Sequence, residues 1–219
     1  AGWQRAQSKL PSWAAIDGIV FPPHINMEQC SSEATARYKA LLARRLIHDT
    51  ATADADTTLT DLTGGYGVDF AFMAREFAKA TYMERNTDLC EVARHNFARL
   101  GIDNADTVCA DSATALPTLP LQTLVYADPA RRDTHGSKTV LISDCTPDIT
   151  ALLPSLLGKA RRVMLKLSPM LDWHKAIADL QQCVAEVHIV SLLGECKELL
   201  LVLDPSLHGV SHHTLRIVC

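Results

Sequence analysis

The sequence predicts an α/β domain: a mostly parallel sheet with right-handed crossovers and helices on both faces, ending in an antiparallel hairpin. Three observations carry this prediction. From Thr57 onward, strand-like and helix-like runs alternate, the pattern of a sheet whose strands are joined by crossover helices. The first strand-like run ends in a glycine-rich turn, Thr63-Gly64-Gly65-Tyr66-Gly67, that opens a helix. The last two strand-like runs, Val187–Leu193 and Glu198–Leu203, are separated by Gly194–Lys197, too short a link for a crossover helix and suited to a hairpin.

The elements follow in order. Before the sheet come two tryptophans and Phe21-Pro22-Pro23, which is extended because proline disfavours helix in the residue before it. Ser31 and Ser32 offer an N-cap to a helix in which Ala34, Tyr38, Leu41, Leu42 and Leu46 recur at helical spacing. Arg37, Lys39, Arg44 and Arg45 fall largely off that stripe and read as a solvated face. Thr58–Leu62 is the first strand, followed by a helix from about Asp69 to Lys79. Ala80–Met83 is the second strand, and Thr87 can cap a helix to Leu100. Asp106–Ala110, Thr123–Ala127 and Arg162–Leu167 are the next strands, with helices over Pro147–Gly158 and Asp172–Cys183. With the hairpin this makes seven strands, the last antiparallel.

Composition narrows the function classes. The 219 residues suit one α/β domain with a modest extra segment, and 47% hydrophobic against 21% charged residues favours a packed core over disorder. A net charge of −4 leaves no overall basic footprint for nucleic acid. The seven cysteines show no CxxC or Cys/His metal spacing, and their odd number without a secretory segment points to a reducing cytoplasm rather than a disulfide framework. No apolar run approaches membrane-spanning length. The start on Ala1 and the stop on the strand-like Leu215–Cys219 read as the ends of an excised part of a longer protein.

The order of strands resembles that of class I S-adenosylmethionine (SAM)-dependent methyltransferases, whose seventh strand inserts antiparallel to the others. The resemblance implies a Rossmann-like sheet that binds SAM at the carboxyl ends of its strands, where open α/β sheets take ligands. Asp61 and the turn Thr63-Gly64-Gly65-Tyr66-Gly67 stand where that family packs its first motif on the methionine part of SAM. Asp61 would accept from the ammonium or an ordered water; the bland alternative is a plain glycine-rich loop. Glu84 ends the second strand, 19 residues after Gly65, where a carboxylate takes both ribose hydroxyls; the alternative is an ordinary exposed glutamate. Arg85 and Asn86 would lie beside the adenosine. Asp111 and Ser112 would accept from the adenine amine and support a ring nitrogen, or simply cap a helix.

The fourth strand delivers Asp128-Pro129-Ala130-Arg131-Arg132, which resembles the start of the loop that many nucleic-acid methyltransferases use for catalysis. Asp128 and Pro129 match that pattern. Ala130 and Arg131 depart from it, and no stacking aromatic residue follows, so methylation of a base amine is not implied. Arg131 and Arg132 suit a phosphate or carboxylate of a substrate, or an ion pair with Asp133 or Asp128.

Gln29, Ser31 and Ser32 resemble the segment placed over the methionine end of SAM, at a helix N-terminus that holds the carboxylate. Residues 1–50 are thus expected to cover the cofactor site and 51–219 to form the SAM-binding domain. Together with Pro11-Ser12-Trp13 through Tyr38, the Asp128 loop resembles bacterial methyltransferases that carry a THUMP-like domain after the catalytic one. That implies RNA as partner through a flanking domain beyond Cys219, with no membrane and no metal.

Other features read more blandly. Lys166 could face a substrate phosphate or solvent, and the hairpin turn Gly194–Glu198 could contribute to substrate binding. Cys196 lacks a neighbouring base and reads as an idle thiol. His208, His212 and His213 lack an acidic or cysteine partner for a metal. A nicotinamide-dependent dehydrogenase needs a small residue where Phe70 stands in the Gly-x-Gly-x-x-Gly pattern. A non-catalytic SAM- or RNA-binding module is the other rival.

Overall fold

A computed structural model describes residues 2–21, 29–50, 53–131, 141–180, 183–210 and 213–219. Pro22, Pro23, Met27, Glu28, Arg132, Asp133 and His212 lie outside the described residues. The chain divides into two compact units, Ala1–Ser112 and Ala113–Cys219.

The first unit begins with helices α1 (Gly2–Lys9), α2 (Pro11–Ala14) and α3 (Glu33–Asp49). Strands β1 (Thr58–Asp61), β2 (Lys79–Glu84) and β3 (Ala105–Cys109) alternate with α4 (Val68–Met73) and α5 (Thr87–Arg99), and α6 (Ser112–Ala115) follows β3. β2 is parallel to β1 on one side, with Asp61 level with Tyr82, and to β3 on the other, with Glu84 level with Cys109. Phe70, Tyr82 and Phe97 form the aromatic centre, their ring centroids 5.0–5.6 Å apart. The stretch before residue 21 is tied to α5: Val20 donates to Asn96 Oδ1 and accepts from Asn96 Nδ2, both at 2.9 Å.

Four expectations for this unit are corrected. In α3 the buried face is Thr35, Ala36, Lys39, Ala40, Leu42, Ala43, Leu46 and Ile47, whereas Ala34 and Leu41 are exposed. Lys39 was expected on the solvated face but is fully buried, because its ammonium has partners inside (below). The helix expected to Lys79 gives way to a 3₁₀ turn, Ala74–Glu76. There the Asn104 amide donates to the carbonyls of Ala74 and Phe77, at 2.8 and 2.7 Å, and Ala78 donates to Thr57 Oγ1. Finally, α5 is capped by Asn86 rather than Thr87: Asn86 Oδ1 accepts from the amides of Asp88 and Leu89, two orphan donors of the first turn.

The second unit holds β4 (Gln122–Ala127), β5 (Ala130–Arg131), β6 (Cys145–Thr146), α7 (Ile149–Lys159), β7 (Ala160–Leu167), α8 (Trp173–Asp179), β8 (Val184–Leu192), β9 (Glu195–Leu203) and β10 (Arg216–Val218). Asp148 and Asp172 cap α7 and α8, so those helices start slightly later than expected. β4 is buried along its whole length, as suits a strand covered on both faces. It is parallel to β7; β9 is antiparallel to both β7 and β8.

Each of the seven expected strands is present, and the hairpin inserts β9 between β7 and β8. The strand count is corrected by β10, which is parallel to β8, so the last strand in the chain is not the antiparallel one. A separate antiparallel pair joins β5 to β6. The hairpin turn is tighter than expected: Leu193 and Gly194 both adopt positive φ, 54° and 78°, the two-residue turn that matches strand twist, and Glu195 already belongs to β9.

Candidate functional site

In the first unit, three carboxylates follow the carboxyl ends of three neighbouring parallel strands: Asp61 on β1, Glu84 on β2 and Asp111 just after β3. Strands lie ~4.8 Å apart, so the row extends about 10 Å across the sheet edge. That is the scale of a nucleoside carrying a short chain.

Each carboxylate has its own setting. Asp61 is 1% exposed, and its Oδ1 accepts from the Thr63 amide at 2.9 Å, so the strand end and the following turn are held together. Glu84 accepts the Gly65 amide on Oε2 (2.9 Å) and the Asn86 amide on Oε1 (2.8 Å). A carboxylate has about four acceptor sites, so these bonds orient Glu84 and leave it capacity for two hydroxyls. Asp111 is exposed, and Ser112, which begins α6, is buried.

The turn between Asp61 and α4 is shaped for close approach. A Cβ at Gly64 would overlap the Tyr82 ring, and one at Gly67 would come within 2.8 Å of Phe97 while the backbone sits at φ +81°. Glycine is required at both. At Gly65 a Cβ would meet nothing nearer than the Thr63 carbonyl, 3.6 Å away. Tyr82 donates its hydroxyl to the Gly65 carbonyl. Burial, reinforced by Glu84 and Asp61, pushes the Tyr82 phenol up, so it stays a donor at neutral pH. Phe70, the residue that counts against a dinucleotide fingerprint, is completely buried in the aromatic centre.

On the β1 side, Ser31 is buried and its hydroxyl donates to Asp69 Oδ2 at 2.8 Å. Lys39 Nζ donates to Ser31 Oγ and pairs with Asp69 Oδ1, both at 3.1 Å. Ser32 Oγ is engaged as the N-cap of α3, accepting from Thr35. Gln29 and Arg85 are exposed. Sequence reasoning missed Lys39, Asp69 and Tyr82. For Lys39 a signal existed: Thr35, Ala36, Lys39, Ala40 and Ala43 recur at three- and four-residue steps, a small-residue stripe overlooked beside the leucines.

Cys90 and Cys109 lie side by side, their Cα atoms 6.0 Å apart. The proximity arises because Cys90, on the buried face of α5, meets the end of β3, a juxtaposition that sequence spacing does not reveal.

In the second unit, Asp128 follows β4 and is partly exposed, while Pro129 beside it is buried. Lys166, near the end of β7, donates to Asp128 Oδ2. The expectation that Lys166 faces solvent is thus corrected: parallel pairing of β4 with β7 brings it to the aspartate. Arg131 lies in β5, opposite Cys145. Cys196 is exposed on β9, and His213 Nε2 donates to the Val184 carbonyl. Among the described residues, no three His, Cys, Asp or Glu side chains gather as a metal site, and no helix is long and apolar enough to cross a membrane.

No protein-family model and no curated protein matches this chain. Solved structures do. A candidate methyltransferase from Porphyromonas gingivalis W83 is 33% identical, with a TM-score of 0.75; the match covers 92% of this chain and 47% of that one, so the chain spans about half of that protein. A candidate RNA methyltransferase from Pyrococcus horikoshii is 13% identical with a TM-score of 0.60, over 92% of this chain and 98% of that one. The 16S rRNA methyltransferase of T. thermophilus, solved with AdoMet and guanosine, is 15% identical with a TM-score of 0.52, over 76% of this chain and 42% of that one. These likenesses, with the parallel strands and the inserted antiparallel β9, show that the chain has the Rossmann-like fold of class I methyltransferases.

Proposed function

We propose that the chain is the catalytic part of a SAM-dependent methyltransferase that acts on RNA. The observation that carries the cofactor reading is the row Asp61, Glu84, Asp111 at three adjacent strand ends, bordered by a turn in which Gly64 and Gly67 are sterically required. In this reading Asp111 and Ser112 take the adenine, and Glu84 takes the ribose with Arg85 beside it. Asp61, Thr63, Gly64, Gly65 and Gly67 surround the sulfonium end, and Gln29, Ser31 and Ser32 cover the aminoacyl group. The 33% identity to a candidate methyltransferase over nearly the whole chain supports it. Residues 1–50 act as the cover and 51–219 as the binding domain.

SAM supplies an already activated methyl group, so the protein's work is alignment and exclusion of water. Asp128 positions the acceptor or takes its proton. Its bond from Lys166 keeps it oriented. Pro129 shapes the loop, and Arg131 and Arg132 orient an anionic substrate. RNA is favoured by that arginine pair and by the RNA methyltransferases among the structural relatives. With a net charge of −4, the phosphate contacts must be concentrated on one edge or shared with a THUMP-like flanking domain. We assign the reaction to the cytoplasm.

Transfer of labelled methyl from SAM to total cellular RNA tests the proposal. Incorporation by the parent, lost in Asp128→Ala, is expected. Cofactor binding without incorporation into RNA would instead point to a non-catalytic SAM-binding module or another acceptor.

A further inference from the structure

Lys39 and Asp69 have no part in the expected site, yet they are buried together with Ser31, which borders one end of it. Lys39 is fully buried, and Asp69 and Ser31 are 8% and 7% exposed. The contacts close a triangle: Ser31 Oγ to Asp69 Oδ2 at 2.8 Å, and Lys39 Nζ to Ser31 Oγ and to Asp69 Oδ1 at 3.1 Å. Withdrawing an ammonium from water is costly, and apolar residues of similar volume usually serve stability as well as a buried ion pair does. What the triangle provides is placement. Ser31 directly precedes the N-cap of α3, and Asp69 is the second residue of α4, two positions after Gly67. The cluster therefore fixes the segment at Ser31–Ser32 against the far end of the glycine turn.

The geometry points to Lys39 as a positioning residue for the aminoacyl end of SAM, acting through Ser31 and Asp69. The inference rests on the cofactor reading above, in which adenine and ribose lie at β3 and β2 and the amino-acid end lies toward β1. Loss of the ammonium leaves Asp69 buried without its cation and releases Ser31, so the cover shifts at that end. Glu84 stays in place, because its partners are the Gly65 and Asn86 amides.

The test uses two ligands that share the adenosine: S-adenosylhomocysteine, which carries the aminoacyl end, and 5′-methylthioadenosine, which lacks it. Calorimetric titration of parent and Lys39→Met should show binding of S-adenosylhomocysteine weakened about tenfold or more, with methylthioadenosine within about twofold of the parent. Lys39→Arg should recover part of the loss. An equal loss for both ligands, or no loss for either, overturns the inference while leaving the cofactor reading intact. Failure of the parent to bind S-adenosylhomocysteine overturns both. If Lys39→Met does not fold, Asp69→Asn decides the matter, because Asp69 holds both Ser31 and Lys39 and lies outside the proposed cofactor contacts: it should show the same split between the ligands, and its absence overturns the inference.

Discussion

Glu84 Oε2 accepts the backbone amide of Gly65 at 2.9 Å, so the carboxylate proposed to hold the ribose also holds the glycine turn. The two roles predict that Glu84→Ala folds but binds SAM at least about tenfold more weakly, and that Glu84→Gln, which keeps an acceptor for Gly65, loses less. Titration of both variants checks this. Equal affinity in parent and Glu84→Ala would remove Glu84 from the site.

Gly64 faces the Tyr82 ring with no room for a methyl group. Gly64→Ala should lower stability by ~1–3 kcal/mol, the usual range for overpacking, as read from denaturant midpoints. Adding Tyr82→Leu should restore part of that loss. A Gly64→Ala variant as stable as the parent would show that the turn does not pack on Tyr82.

The fold was legible in the sequence where periodicity and connection length decide it. The short Gly194–Lys197 link could only be a hairpin, and the runs around Leu59, Val125 and Leu165 could only be strands in a covered sheet. The Asp61, Glu84 and Asp111 positions were legible because each follows a strand. What the sequence hid was pairing between distant residues. Lys39 looks solvated until Asp69 and Ser31 are seen beside it, and Lys166 looks exposed until β7 is placed next to β4. Cys90 meets Cys109 for the same reason. The exposed Leu41 shows the converse: hydrophobicity alone misassigned one face of α3.

Glu33 ties α2 to α3. Its carboxylate accepts from the Ser12 amide at 2.9 Å, from Ser12 Oγ at 2.8 Å and from the Arg37 guanidinium at 2.6 Å. Burial pushes its pKa up, but these bonds outweigh burial and hold it below the ordinary 4.5. A lowered folded pKa means the stabilisation is present above 4.5 and is lost as pH falls through the lowered value. Glu33→Gln should therefore flatten the acid limb of a stability-versus-pH curve while also lowering stability at pH 7. An unchanged acid limb would contradict the assignment.

Lys166 and Asp128 form a single partly exposed ion pair, with side chains 12% and 37% exposed. Solvent screens part of it, so Lys166→Met should cost about 1 kcal/mol. Lys166→Arg should recover most of that. Chemical denaturation measures both, and a Lys166→Met variant as stable as the parent would show that the pair does not persist in solution.

Titration of the purified chain with SAM, S-adenosylhomocysteine and NADH tests the central claim most directly. Micromolar binding of the first two without NADH is the predicted result; binding of NADH alone, or of none of the three, would contradict it.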